Sequence, residues 1–155
     1  MIQRVQSVYL LLMIIIMSFL LIRPFAQVTD SEGQKYIFHA QAVKQMAEGE
    51  EVIFKETLPV FIEVTIAGIL GFITMFLYSR RIVQLRLIVI NISLILLLVA
   101  TMLYYYFSVQ KPLDIIQHAF RIPAIYPIMA IFLNFMAYKA INRDEALVNS
   151  YKRMR

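Results

Sequence analysis

Apolar residues run almost unbroken through four stretches of the chain, 5–22, 58–78, 87–107 and 122–140, and polar residues gather between them. Crossing the hydrocarbon of a bilayer takes about 20 helical residues at a rise of about 1.5 Å each. None of the four stretches alternates as a barrel strand does, and backbone amides cannot be left unpaired in lipid, so each is expected to be a helix. The predicted fold is an all-α membrane protein, a bundle of four transmembrane helices forming one membrane domain over residues 1–155. The fourth stretch, "IPAIYPIMAIFLNFMAYKA", is the least apolar. Lys139 near its end has a stem long enough to reach the headgroups, and Pro123 and Pro127 fall in its first turns, where a missing amide donor costs little.

An apolar run at an N-terminus can also be a cleaved signal peptide. Here Arg4 is the only basic side chain ahead of the run, and the exit "LIRPFAQ" has no small-x-small cleavage pattern. The first stretch is therefore expected to remain as a helix.

The connection 23–57 is far longer than the "SRRIVQLR" turn between the second and third stretches. It contains "PFAQV", the turn-like "TDSEGQ", then "KYIFHA" and "EVIFKE", which read as short strands separated by turn residues. A small two- or three-stranded sheet is expected there, with "AQAVKQMAEGE" as an intervening helical piece and the bundle mouth or a partner as its support. The last connection, "SVQKPLDIIQHAFR", is expected to hold a short interfacial helix with Ile115, Ile116, Ala119 and Phe120 on one side. Tyr104, Tyr105, Tyr106 and Phe107 at the same level suit an aromatic belt at the membrane surface.

Composition agrees with a membrane protein: 61% of residues are apolar and 16% charged, against roughly 25% charged in soluble domains. The net charge of +5 does not point to nucleic acid, because the basic residues sit at the ends of the apolar runs rather than in a patch. With the N-terminus cytoplasmic, Arg4, Arg80, Arg81, Arg86, Lys139, Arg143, Lys152, Arg153 and Arg155 stand on the cytoplasmic side against Asp144 and Glu145, a balance of +7. The opposite side then balances at −2. Basic residues near short loops are retained inside, so both termini are expected in the cytoplasm. The chain has no cysteine, which excludes disulfides, thiolate nucleophiles and cysteine-ligated metals.

Polar residues within the apolar runs are the natural candidates for function. Glu63 lies more than one turn inside the second helix and is expected to snorkel or to pair with Arg121, Arg23 or His118. Asn91 lies about 6 Å inside the third helix and Asn134 about 9 Å inside the fourth, similar depths that allow a cross-helix hydrogen bond. Ala67 and Gly71, with Gly68 beside them, form a small-xxx-small spacing that permits close helix contact. The two histidines, His39 and His118, fall in different connections without ligand spacing, and no nucleophile motif or glycine-rich phosphate loop is present. No catalytic residue, cofactor or metal is expected. The cores of the first and third helices are Leu, Ile, Val and Met, which argues against a transport path within a single chain.

The opening "MIQRVQSVYLLL", the closing "INRDEALVNSYKRMR" and "RRIVQLRLIVIN" resemble the DUF4293 family, small four-helix membrane proteins of Bacteroidota with no established function. The resemblance spans the whole chain. It implies the inner membrane of a Gram-negative cell, so that the outer connections face the periplasm. The family's marked positions fall here on Ile2, Gln3, Arg4, Gln6, Tyr9, Arg80, Gln84, Arg86, Asn91, Asp144, Glu145, Leu147, Val148, Ser150, Arg153 and Arg155. All lie on the expected cytoplasmic face or in the adjoining turns.

Within the tail 141–155, Leu147, Tyr151 and Met154 recur near helical spacing together with Ala140, an apolar stripe that needs a surface. Lipid headgroups, another protein or the bundle itself would serve, the last with Asp144 and Glu145 pairing with Arg4, Arg80, Arg81 or Arg86. The expected function is that of an inner-membrane accessory or scaffold subunit, in contact with membrane lipids and another integral membrane protein. A lipid or small apolar-ligand binding module with a cavity beneath the outer connection is the alternative, and a small transporter or enzyme comes third.

Overall fold

The computed structural model describes residues 3–47, 50–77, 80–111 and 115–153, with side chains described over 5–46, 52–77, 80–111 and 115–144. Its helices are α1 (Gln3–Ile22), α2 (Leu58–Phe76), α3 (Arg81–Gln110) and α4 (Tyr126–Arg153), the last preceded by a 3-10 turn over Ile122–Ile125. All four are long and apolar enough to cross a membrane, and together they form a multi-pass membrane bundle. α1 packs on α2 and α4, and α3 packs on the same two helices from the other side.

The side chains that close the bundle follow one rule. α1 buries Gln6, Leu10, Met13, Met17 and Leu20, and α2 buries Val60, Val64, Ala67, Gly71 and Thr74. α3 buries Gln84, Ile88, Asn91, Ile95, Leu98 and Met102, and α4 buries Pro127, Ala130, Asn134, Ala137, Ile141 and Asp144. Every step is three or four residues, the heptad spacing of helices wound around one another in left-handed packing. The opposite faces carry exposed Phe19, Ile69, Phe72, Leu97 and Phe132, as a lipid-facing surface requires.

Lipid tails are as apolar as leucine, so close packing has to hold the helices together. The small-xxx-small spacing supplies it. A Cβ added to Gly71 would run into Cε of Met13 and come within 3.3 Å of Ile14 Cγ1, so α1 sits directly against the α2 backbone. α4 does not stop near Ala140. No Gly or Pro interrupts the segment, the seam spacing continues through Ile141 and Asp144, and the helix runs on to Arg153.

The end of the bundle opposite the termini carries a five-stranded antiparallel sheet in the order β4-β3-β2-β1-β5. Four strands come from the long connection: β1 (Ala26–Asp30), β2 (Lys35–Phe38), β3 (Ala42–Ala47) and β4 (Glu50–Glu56). The fifth, β5 (Ile115–Phe120), comes from the last connection and pairs with β1. Three expectations are corrected here. The sheet has five strands rather than two or three, the "AVKQMA" segment is a strand rather than a helical piece, and "IIQHAF" is an edge strand rather than an interfacial helix. Both short runs are ambiguous in period, and pairing with neighbouring strands decides them.

Local chemistry shapes the sheet. The β1–β2 turn is closed by Gly33 N–H donating to Asp30 O at 2.9 Å, and Gly33 takes the left-handed conformation (φ 77°) that glycine reaches without penalty. Register shifts between Thr29 and Asp30 and between Val43 and Lys44 place a bulge in each edge pairing, and bulges bend strands. The bent sheet wraps around the last turns of α3. Phe38 of β2 packs on Tyr106 (5.5 Å between centroids), as does Phe120 of β5 (4.9 Å). From the other edge, Lys55 of β4 donates to Ser108 Oγ at 2.8 Å and lies 5.6 Å from the Tyr105 ring centroid. Tyr106 is therefore a core residue and not part of a belt, whereas Tyr104 and Phe107 point outward. Thr57 ties the sheet to α2: fully buried, it donates its hydroxyl toward His39 O and Ala40 O, both at 3.1 Å.

Two outcomes follow for the folded protein in detergent. Gly71→Ala needs only the mobile end of Met13 to swing aside and should be close to neutral, whereas Gly71→Leu drives α1 off α2 and should cost about 1–3 kcal/mol in unfolding free energy. Tyr36 is buried in β2, and burial first, then the charges of Asp30 and Glu32, raise its pKa above the ordinary value of 10.0. The unfolded chain then loses that proton at lower pH than the folded one, so stability falls as pH rises past about 10. Melting temperatures of Tyr36→Phe should decline less than wild type between about pH 9 and 11.

Candidate functional site

Polar side chains in the seam are concentrated in the half of the bundle nearest the termini. Gln6 Nε2 donates to Asp144 Oδ2 at 2.5 Å across α1 and α4, both residues being buried. Gln84 Nε2 donates to Thr74 O at 3.1 Å and pins the start of α3 to the end of α2. One step further in, Asn91 lies between Ile88 and Ile95 in its seam, and Asn134 lies between Ala137 and Ala130. Ile88 and Ala137 belong to one apolar cluster, Ile95 and Ala130 to another, so the two amides mark the boundary between them.

The two asparagines do not bond to each other. Asn134 Nδ2 donates to Ala130 O of its own helix at 3.0 Å. Asn134 Oδ1, both polar atoms of Asn91 and Gln84 Oε1 are buried without a hydrogen-bond partner among the described residues. Leaving such groups unpaired costs about 1–3 kcal/mol each.

Among the described side chains, Asp144 and Glu63 make contacts other than the expected charge pairs. The Asp144 carboxylate accepts from Gln6, while Arg81 donates to the Asp144 backbone oxygen at 3.2 Å. Arg80 and Arg86 are exposed. Glu63 pairs with none of Arg121, Arg23 and His118; its Oε1 accepts from Thr101 of α3 at 3.1 Å. His118 instead meets the Tyr106 hydroxyl through Nδ1 at 3.1 Å. Arg4 lies on α1 and Glu145, Ser150 and Arg153 on α4, with side chains outside the described residues, and Arg155 lies wholly outside them.

At the sheet end the seam opens. Ala124 of the 3-10 turn and Pro127 at the start of α4 line, with Met102, Leu103 and Tyr106 of α3 and with Phe25 and Phe120, an apolar cleft of about 350 Å³. On the other side of Phe120 a recess of about 500 Å³ is lined by Arg23, Pro24, Arg121 and Tyr126 among others. Among the described residues no three His, Asp or Glu side chains gather as a metal set.

Residues 2–154 match the family model of DUF4293, a domain of unknown function. The chain belongs to the DUF4293 family. No curated protein matches it. In this DUF4293 protein the sequence pattern marked the polar seam and allowed a cavity beneath the outer connection, but it did not identify the residues of the sheet-end cleft, which are ordinary aromatic and aliphatic side chains. The available signal was the pair Arg23 and Arg121, one at each junction between a connection and a helix.

The two halves of the polar layer should respond oppositely to substitution. Asn91→Leu and Asn134→Leu replace amides that are unpaired or only partly paired by apolar groups of similar size and should leave stability unchanged or raise it. Gln6→Leu strips the buried Asp144 carboxylate of its donor and should cost about 1–3 kcal/mol. Unfolding of the three variants by SDS in mixed micelles reads this difference.

Proposed function

We propose that the protein is a non-catalytic accessory or scaffold subunit of the inner membrane, with both termini in the cytoplasm, the sheet in the periplasm, and a partner membrane protein held by strand addition to β5. The orientation is supported by the +7 balance of basic residues around the termini and the short α2–α3 turn. The observation that carries the partner is the contrast between the two sheet edges. β4, "EEVIFKE", is guarded by charge and fastened to α3 through Lys55. β5, "IIQHAF", has no charged residue and no proline; five of its six residues are exposed, and no described strand covers its outer edge.

Open edges are normally blunted by charge, proline or cover because they pair with other chains. An unguarded edge fits an extended segment that completes the backbone hydrogen bonds and places alternate side chains against the sheet. In this reading Gln6, Arg81, Gln84, Asn91, Asn134 and Asp144 fix helix register, while Arg4, Arg80, Arg86, Glu145, Ser150, Arg153 and Arg155 form a cytoplasmic face available to the same partner.

A photo-crosslinking residue at Gln117 or Ala119, introduced in the native membrane, should yield one adduct whose crosslinks map to a single extended segment of another membrane protein. The same probe at Val52 of β4 should yield none, and Ile116→Lys should reduce the β5 adduct about tenfold. Adducts from β4 alone, or none from β5, would overturn the reading.

A further inference from the structure

Beyond partner docking, we infer that the outer end of the α1–α4 junction is a binding site for an anionic glycerophospholipid, its phosphate held between Arg23 and Arg121 and one acyl chain laid in the cleft between α3 and α4. Arg23 directly follows α1, and Arg121 directly precedes the 3-10 turn that leads into α4, so both stand where apolar helix gives way to the sheet. In a bilayer that is the headgroup level. Both arginines line the same recess, no acidic residue lines it, and Tyr126 adds a hydroxyl to the wall.

The two cations are differently placed. Arg121 already donates to Gln27 Oε1 at 2.5 Å, which holds its guanidinium on the sheet. The Arg23 guanidinium has no partner among the described residues. A planar guanidinium with free donors at this depth matches a phosphate, for which arginine forms paired, charge-assisted bonds. Two cations without a nearby carboxylate favour a headgroup with net negative charge over a zwitterionic one.

The neighbouring cleft accounts for the tail. Phe120 is a wall of both recesses, so phosphate site and cleft adjoin. From Tyr106 down to Val99 the cleft follows α3 for about 10 Å into the bundle. Its lining is apolar apart from the Tyr106 hydroxyl, which is occupied by His118. Pro127 and Ala124 keep it open, since larger residues there would fill the volume. A flat annular surface would bind lipids without choosing among headgroups; an arginine pair joined to an apolar cleft predicts a choice.

The protein reconstituted in vesicles of equal parts phosphatidylglycerol and phosphatidylcholine, then released in mild detergent for native mass spectrometry, tests the site. Wild type should carry phosphatidylglycerol in preference to phosphatidylcholine. Arg23→Gln should lower that preference about tenfold, and Arg23→Lys, which keeps the charge, should retain most of it. The Arg23 side chain makes no described hydrogen bond or ion pair that supports the fold, and an unchanged melting temperature of Arg23→Gln would show that the loss is one of binding. Equal retention of both lipids by wild type, retention of neither, or a preference unaltered in Arg23→Gln overturns the inference. The crosslinking at β5 is independent of this outcome.

Discussion

Backbone amides inside a bilayer have no water to bond with, and the rest of this structure depends on that constraint. It forces the four apolar stretches into helices and leaves side-chain fit to join them, because exposing leucine to lipid costs nothing. The fit is the three-four spacing that all four helices share, tightened where Gly71 admits Met13. Once that spacing is set, the polar contacts follow from register. Antiparallel α1 and α4 place Gln6 opposite Asp144, and the short α2–α3 turn places Gln84 beside the last carbonyls of α2. These bonds select one alignment among several that the apolar residues alone would accept.

The sheet depends on the bundle in turn. Five short strands with bulged edges would not stay folded without something to pack on, and the end of α3 is that support. Tyr106 reaches Phe38 at the centre of the sheet and His118 and Phe120 at one edge, and Lys55 clips the other edge to the neighbouring turn. Val28, Phe38 and Val43 accordingly belong to the same apolar cluster as Met102 and Val109. Helix and sheet form one core, and Thr57 closes it by joining the β2–β3 turn to the start of α2.

The legible part of this architecture was the part that local pattern determines. Long apolar runs announce helices, and "TDSEGQ" announces a turn because Gly33 takes a positive φ there. β5 was not legible, because "IIQHAF" becomes a strand only by meeting β1, some 90 residues earlier in the chain. The Gln6–Asp144 bond was hidden for a related reason. Charge alone sends a carboxylate to the nearest arginine, but the seam buries Asp144 with its Oδ2 against Gln6, and Arg81 meets the backbone oxygen instead. Asn91 and Asn134 were recognised as a buried pair at similar depth. Their bond does not form; Asn134 Nδ2 donates instead to Ala130 O of its own helix.

The two ends of the molecule differ in what they leave unsatisfied. In the half nearest the termini the unpaired groups are inside, around Asn91 and Gln84. At the sheet end Glu63 Oε2 and Gln110 Nε2 are likewise buried without a partner among the described residues, and further groups are left outside, on the bare edge of β5 and the guanidinium of Arg23. Charging the outer edge of β5 would cost the fold little, because five of its six residues are exposed whatever they are. β4 shows that this sheet accommodates a charged edge. Stability therefore does not explain the uncharged strand or the uncompensated arginine beside it. Contacts made with something beyond the chain, a strand on one and a phosphate on the other, would explain both.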